Sequence, residues 1–195
     1  MESIVIGISG ASGVILGFRT VELCCNAGLH VDLIMTDAAR RTAFEELDAS
    51  YDTDEMLLRR FPESLHSKIR CLSIHDIASQ VASGTYRTCG MIIVPCSMST
   101  LAAVSIGLAD NLLRRAADVT IKEGRKLLLV PREMPLSSIH LEHMLKLSRL
   151  GVVIMPPQPA WYQRPKTIED VEDSIVSRIL DRFGLPSAIK RWREQ

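Results

Sequence analysis

The chain has 195 residues, 47% of them apolar and 24% charged, with Lys+Arg and Asp+Glu balanced at 23 each. That length is about one domain, enough to bury a core without disulfide or metal staples. The apolar share and zero net charge argue against disorder and give no support to a nucleic-acid or membrane-surface role, and 5% aromatics argue against single-strand binding by base stacking.

Apolar runs of strand length alternate with helical patterns. Residues 3–8 (SIVIGI) predict a buried strand, and 14–27 a helix stopped at Gly28. Residues 30–35 (HVDLIM) predict the second strand and 37–47 a helix, with Thr36 or Asp37 at its start. A short helix over 51–61 closes at Pro62, a third strand covers 70–74, and 84–88 reads as a turn or edge. Residues 90–95 (GMIIVP) predict a strong strand, followed by helices from about Ser99 and over 110–124. Residues 126–130 (KLLLV) are the next strand, 137–150 a helix ended by Gly151, and 152–155 the last strand. The proline-rich stretch 156–165 leads to a final helix over 168–183.

Strands without polar alternation, separated by helices, are the pattern of a parallel sheet covered on both faces. The expected fold is therefore α/β, a three-layer parallel sheet, with residues 1–195 as one domain. The five cysteines, Cys24, Cys25, Cys71, Cys89 and Cys96, are odd in number and contain no CxxC pair. They predict reduced thiols in a cytoplasmic protein and no zinc framework. No basic segment precedes the first strand, and no apolar run reaches the length of a membrane span. Neither a signal peptide nor a membrane partner is expected.

In an open parallel sheet, ligands bind beyond the C-terminal ends of the strands. The residues that follow each expected strand are therefore the candidates. They are Ser9-Gly10-Ala11-Ser12-Gly13, Thr36-Asp37, Cys96-Ser97-Met98-Ser99-Thr100, Arg132-Glu133, and the loop with Trp161, Tyr162 and Arg164. Small residues at 10–13 let backbone N–H groups approach a phosphate at a helix start, although the motif is neither GxGxxG nor a P-loop. A tight turn with Ser12 as helix cap explains the same residues. Capping needs one hydroxyl, whereas Ser97, Ser99 and Thr100 offer three, which favours a phosphate or ribityl chain. Arg115, Asp118 and Lys122 share a helix face and also fit a solvated face with an Asp118–Lys122 pair. Arg132-Glu133 suits phosphate binding and proton transfer, or a solvated pair. His140 and His143 lack a third ligand nearby, so no metal is expected.

Five segments in order then resemble the UbiX flavin prenyltransferase family. They are GISGASG near the start, PCSMSTLA at 95–102, RRAADVTIKE at 114–123, PREMPLSSIHLEHM at 131–144 and MPPQPAWYQRP at 155–165. The resemblance covers nearly the whole chain. It implies a Rossmann- or flavodoxin-like fold of the flavin-binding, cysteine-decarboxylase-like (HFCD) superfamily. It implies an enzyme that joins a dimethylallyl group, from dimethylallyl phosphate, to N5 and C6 of reduced FMN. The product, prenylated FMN, would serve a UbiD-like decarboxylase, usually in ubiquinone or related aromatic-acid metabolism. A homo-oligomer, as a dodecamer with sites completed by neighbouring chains, is also implied.

By the same resemblance, Gly10, Ala11, Ser12, Thr36, Ser97, Met98, Ser99, Thr100 and Arg132 contact FMN. Tyr162 and Arg178 hold the prenyl phosphate, with Arg115, Lys122 and Glu133 around it. Glu46 stands near the flavin as a catalytic acidic residue, and Trp192 closes the site. Trp161-Tyr162 occupies the place where the family commonly has Phe-Tyr. The cations would replace the magnesium of usual prenyltransferases, and Lys122 and Glu133 are expected to meet over one phosphate. Two alternatives are an inactive flavin-binding paralogue and a flavin-dependent cysteine decarboxylase. The PASANT-type motif and the histidine of the latter are missing here.

Overall fold

The computed structural model describes residues 2–186. In chain order the elements are β1 (Ser3–Ile8), α1 (Val14–Asn26), β2 (His30–Met35), α2 (Asp37–Leu47), α3 (Asp54–Arg59), α4 (Glu63–His66) and β3 (Ile69–Leu72). A 3₁₀ turn at Gln80–Ala82 precedes β4 (Gly90–Cys96), α5 (Met98–Ile106), α6 (Leu112–Lys122), β5 (Lys126–Pro131), α7 (Ser138–Arg149) and β6 (Val153–Ile154). A second 3₁₀ turn, Trp161–Gln163, leads into α8 (Ile168–Arg182).

The strands form one six-stranded sheet in the order β3-β2-β1-β4-β5-β6, and every pairing is parallel. This is the doubly wound order, in which the chain reverses direction across the sheet between β1 and β4. Side-chain alternation divides the core in two. Ile4, Ile6 and Ile8 of β1 pack with Phe18 and Val21 of α1, Ala39 of α2 and Val176 and Ile179 of α8. Val5 faces the other way, with Leu101 of α5, Leu113 and Ala116 of α6 and Leu147 of α7. The result is the expected three layers. The α1–β4 contact is close enough to need glycine: a Cβ on Gly17 would lie 2.6 Å from the Val94 carbonyl oxygen.

Several boundaries differ from expectation for local reasons. The helix expected over 51–61 is shorter, because Thr53 caps α3 by accepting from the Met56 N–H. Tyr51 instead turns inward, edge-on to Phe18 at 5.2 Å. Pro62 begins α4 rather than only ending a helix, as a proline at a helix start does. Asn111, not Asp110, caps α6 through the Arg114 N–H. The last strand shrinks to Val153–Ile154 at the sheet edge.

Candidate functional site

The β1 and β4 exits form the crevice at the reversal point, and the expected flavin loops lie there. Ser9, 1% accessible, ties them together. Its hydroxyl donates to the Pro95 carbonyl (3.1 Å) and accepts from the Ser97 N–H (2.8 Å). Ser97 then caps α5 by accepting from the Thr100 N–H, and its own hydroxyl donates to Thr100 Oγ1 (3.1 Å). Ser99 stays exposed and meets the Arg114 guanidinium at 3.5 Å. Thr36 caps α2 through the Ala39 N–H, and its own N–H bonds to the Ile8 carbonyl at the end of β1. Arg132, exposed, is anchored beside this group by its N–H on the Cys96 carbonyl (3.2 Å). Glu133 is exposed, and its carboxylate accepts from the Met134 N–H (3.0 Å).

Ser12 does not cap α1. The cap residue is Gly13, in the left-handed region at φ 97°, without a side-chain cap of its own. The cap arrives from α2: the Glu46 carboxylate accepts from the Gly13 N–H (3.0 and 3.1 Å) and the Val14 N–H (3.1 Å). A carboxylate at a helix start is favoured by the helix field. Glu46 therefore fills the anion position of α1 and leaves the Ser12 hydroxyl exposed at the crevice.

The other expected residues lie elsewhere on the chain. Lys122 is the last residue of α6, just before β5 starts, whereas Glu133 follows the β5 exit. Six strand residues separate these levels, about 20 Å at ~3.3 Å per residue. The expectation that the two meet over one phosphate fails within a single chain, because α6 runs back along the sheet. Arg178 lies one turn before Arg182, whose carbonyl accepts from Lys126 Nζ at the start of β5. Tyr162 sits at the other end of α8, half exposed, about 15 Å of helix axis away. Arg115 is on the second turn of α6. The expected Asp118–Lys122 pair is absent: Asp118 bonds Arg115 (2.8 Å), and Lys122 bonds Glu123. Trp192 lies outside the described residues.

Against known proteins, the Flavoprotein family matches residues 1–180. A flavin prenyltransferase UbiX of Chlamydia trachomatis is 48% identical over 193 residues, covering 98% of each chain. The chain belongs to the UbiX flavin prenyltransferase family. Two solved structures share the architecture at 40% identity. One is a dodecameric FMN-dependent UbiX-like decarboxylase from Escherichia coli O157:H7, with TM-score 0.87, covering 98% of this chain and 100% of that one. The other is AnUbiX in complex with FMN and dimethylallyl pyrophosphate, with TM-score 0.86, covering 100% and 98%. The α/β fold expected from the strand pattern is thus that of the UbiX structures.

Two features of the crevice go beyond the sequence reading. Ser9, a candidate by its place at the exit of β1, proves to join the β1 and β4 exit loops. Arg114 adds a cation beside Ser99, hidden behind the better-spaced Arg115. Among the described residues no group of three His, Cys, Asp or Glu is placed to hold a metal. His140 and His143 have other work: His140 Nδ1 accepts from the Ser137 N–H at the α7 start, and His143 Nδ1 meets the Ser105 hydroxyl at 2.6 Å. Burial pushes the Cys96 thiol well above its ordinary range, so it is a packed side chain of the crevice floor and not a nucleophile. No helix among the described residues is long and apolar enough to cross a membrane.

Proposed function

We propose that this chain transfers the dimethylallyl group of dimethylallyl phosphate to reduced FMN, forming prenylated FMN. The carrying observation is the β1/β4 crevice. There Ser12 and Ser99 hydroxyls are exposed, Thr36 and Ser97 mark helix starts, and Arg132 brings a cation without a carboxylate partner in the same loop. This donor set fits a ribityl phosphate, with Gly10, Ala11, Met98 and Thr100 shaping its walls. Glu46 already satisfies the α1 start, so we assign the flavin phosphate to the hydroxyl-lined α5 start and Arg132.

Reduced FMN supplies N5 as nucleophile and C6 as the point of ring closure. The chain's own task is to separate charge. Breaking the allylic C–O bond leaves a positive carbon and adds one negative charge to the departing phosphate. Arg115, Lys122 and Arg178 neutralise the phosphate, and their hydrogen bonds are strongest in a dry site. Tyr162 and Trp192 give the carbon an electron-rich wall. Once N5 is alkylated and has lost its proton, ring closure needs a proton added to the remaining prenyl double bond as the C6 bond forms, and then loss of the C6 proton. We assign these transfers to Glu133 and the freed phosphate, and an acidic role near the flavin to Glu46. In this account no metal is needed.

Lys122 and Arg178 lie at the far end of the sheet from Glu133, so the complete site draws on neighbouring copies. Exposed apolar side chains support that assembly: Met134 (88% accessible), Ile139 (62%), Leu141 (53%) and Leu145 (50%) line the 132–136 loop and α7. The expected assembly is a dodecamer in the cytoplasm, with a UbiD-like decarboxylase receiving the product. The test is anaerobic incubation of the purified protein with reduced FMN and dimethylallyl phosphate, with and without EDTA. A flavin heavier by one isoprene unit in both arms supports the proposal. Unchanged FMN refutes it, and activity lost to EDTA and restored by magnesium refutes its metal-free form.

A further inference from the structure

Sequence neighbours on a helix do not face each other, yet Lys122 Nζ donates to the Glu123 carboxylate. The reason is local. Glu123 is the C-cap of α6, past the last helical residue, so its side chain folds back. Gly124 at φ 65° then completes the stop, with its N–H on the Ile121 carbonyl (3.0 Å) and the Arg125 N–H on the Thr120 carbonyl (2.9 Å). The Lys122 ammonium holds the Glu123 carboxyl below its usual range, through their hydrogen bond and then its charge.

The turn before β4 is fastened against this pair. The Arg125 guanidinium donates to the Gly84 carbonyl (2.6 Å) and the Tyr86 carbonyl (2.7 Å). The Tyr86 hydroxyl donates to Asp32 (2.9 Å), a carboxylate 3% accessible on β2, which also accepts from Arg70 Nε (2.8 Å). Gly84 thereby lies on the charged tips. A Cβ there would stand 2.7 Å from Glu123 Cδ and 2.8 Å from Lys122 Nζ. The Asp32–Tyr86–Arg125 chain thus ends at the one face where the Lys122 ammonium rests.

We propose that Arg125 and Gly84 are positioning residues for Lys122, fixing its ammonium on the strand-start edge for presentation to the prenyl phosphate held by a neighbouring copy. The proposal rests on the reading that Lys122 meets that phosphate. A free lysine stem samples many rotamers and loses that freedom on binding; a stem already ordered loses less.

Arg125→Met and Gly84→Ala test this, each alone and combined with Lys122→Ala. Gly84 is not among the glycines in the left-handed region, so alanine suits its backbone and displaces only the two flexible side-chain tips. It remains informative should Arg125→Met fold poorly. Each positioning variant is expected to lower kcat/KM for dimethylallyl phosphate about tenfold, while FMN affinity stays unchanged, and to add nothing in the Lys122→Ala background. Losses that multiply with Lys122→Ala mean a merely structural turn and overturn the proposal. Unaltered kinetics in both positioning variants, with Lys122→Ala impaired, overturn it alone. Wild-type kinetics in Lys122→Ala overturn the underlying reading and the proposal with it.

Discussion

The two edges of the sheet are built differently. At the strand-exit edge, loops from β1, β2, β4 and β5 converge within one chain. Ser9 bonds the first to the third, and Glu46 bonds α2 to the start of α1. At the strand-start edge the chemically interesting side chains point away from any such centre. Lys122 pairs with Glu123 and Arg178 with Asp181, each a near neighbour in sequence. A parallel sheet with helical crossovers brings every strand exit to one side, so the first edge follows from topology alone. On the function proposed above, the second would acquire its role from what another copy brings against it.

The sharpest way to break this contrast is to damage one edge at a time. Glu133→Gln keeps shape and removes the proposed proton-transfer group, so turnover should fall about 10²–10⁴-fold while FMN still binds. Lys122→Leu removes the counter-charge proposed for the leaving phosphate, with an expected loss of about 10²–10³-fold, again without loss of FMN. Single-turnover flavin spectra and FMN fluorescence quenching measure both. The contrast itself is tested by mixing. If each site takes Glu133 from one copy and Lys122 from another, random co-assembly of the two variants restores intact sites, about a quarter of them. Turnover no higher than the mean of the separate variants would place both residues in one chain's site.

A smaller effect is expected inside the exit edge. Ser9→Ala leaves the Ser97 N–H without its partner, while the Pro95 carbonyl keeps the Ser9 N–H, at a cost of about 1–3 kcal/mol. FMN affinity and the thermal midpoint should fall together, because the same hydroxyl holds both loops. Weaker FMN binding with an unmoved midpoint would mean that Ser9 touches the ligand rather than the scaffold.

What was legible in the sequence follows the same division. Runs such as SIVIGI and KLLLV announce strands buried on both faces, and the small and hydroxyl residues after them mark the crevice. The alternative reading of Ser12 as the α1 cap fails because the true partner, Glu46, is far away in sequence and close only through the packing of α2 on α1. The Lys122–Glu133 meeting was misjudged for a similar reason. A short connection in sequence reverses direction at Gly124, so it separates the two residues by the length of β5 rather than joining them. Spacing reveals faces and turns. It does not reveal which end of the sheet a helix terminus reaches, or which copy completes a site.

The smallest expected effect compares the two ends of a single strand. Cys89 precedes β4 and is partly accessible, whereas Cys96 ends it and is wholly enclosed. Burial raises both thiols, Cys89 from 9.0 to about 11 and Cys96 further. The thiolate is the reactive form, so at pH 8 Cys89 should label slowly with iodoacetamide, and Cys96 only as fast as the whole protein unfolds. The sign for stability is also fixed. A thiol whose folded pKa lies above its unfolded value contributes fully below pH 9.0 and loses that contribution as pH rises toward about 11. The urea midpoint should therefore be flat with respect to these thiols below pH 9 and decline above it, the share of Cys25 and Cys89 ending near pH 11, to which both are raised. Should Cys96 label as quickly as Cys89 at pH 8, the exit edge opens locally without global unfolding. The picture of a pre-built crevice facing an assembly-dependent start edge would then have to be reversed.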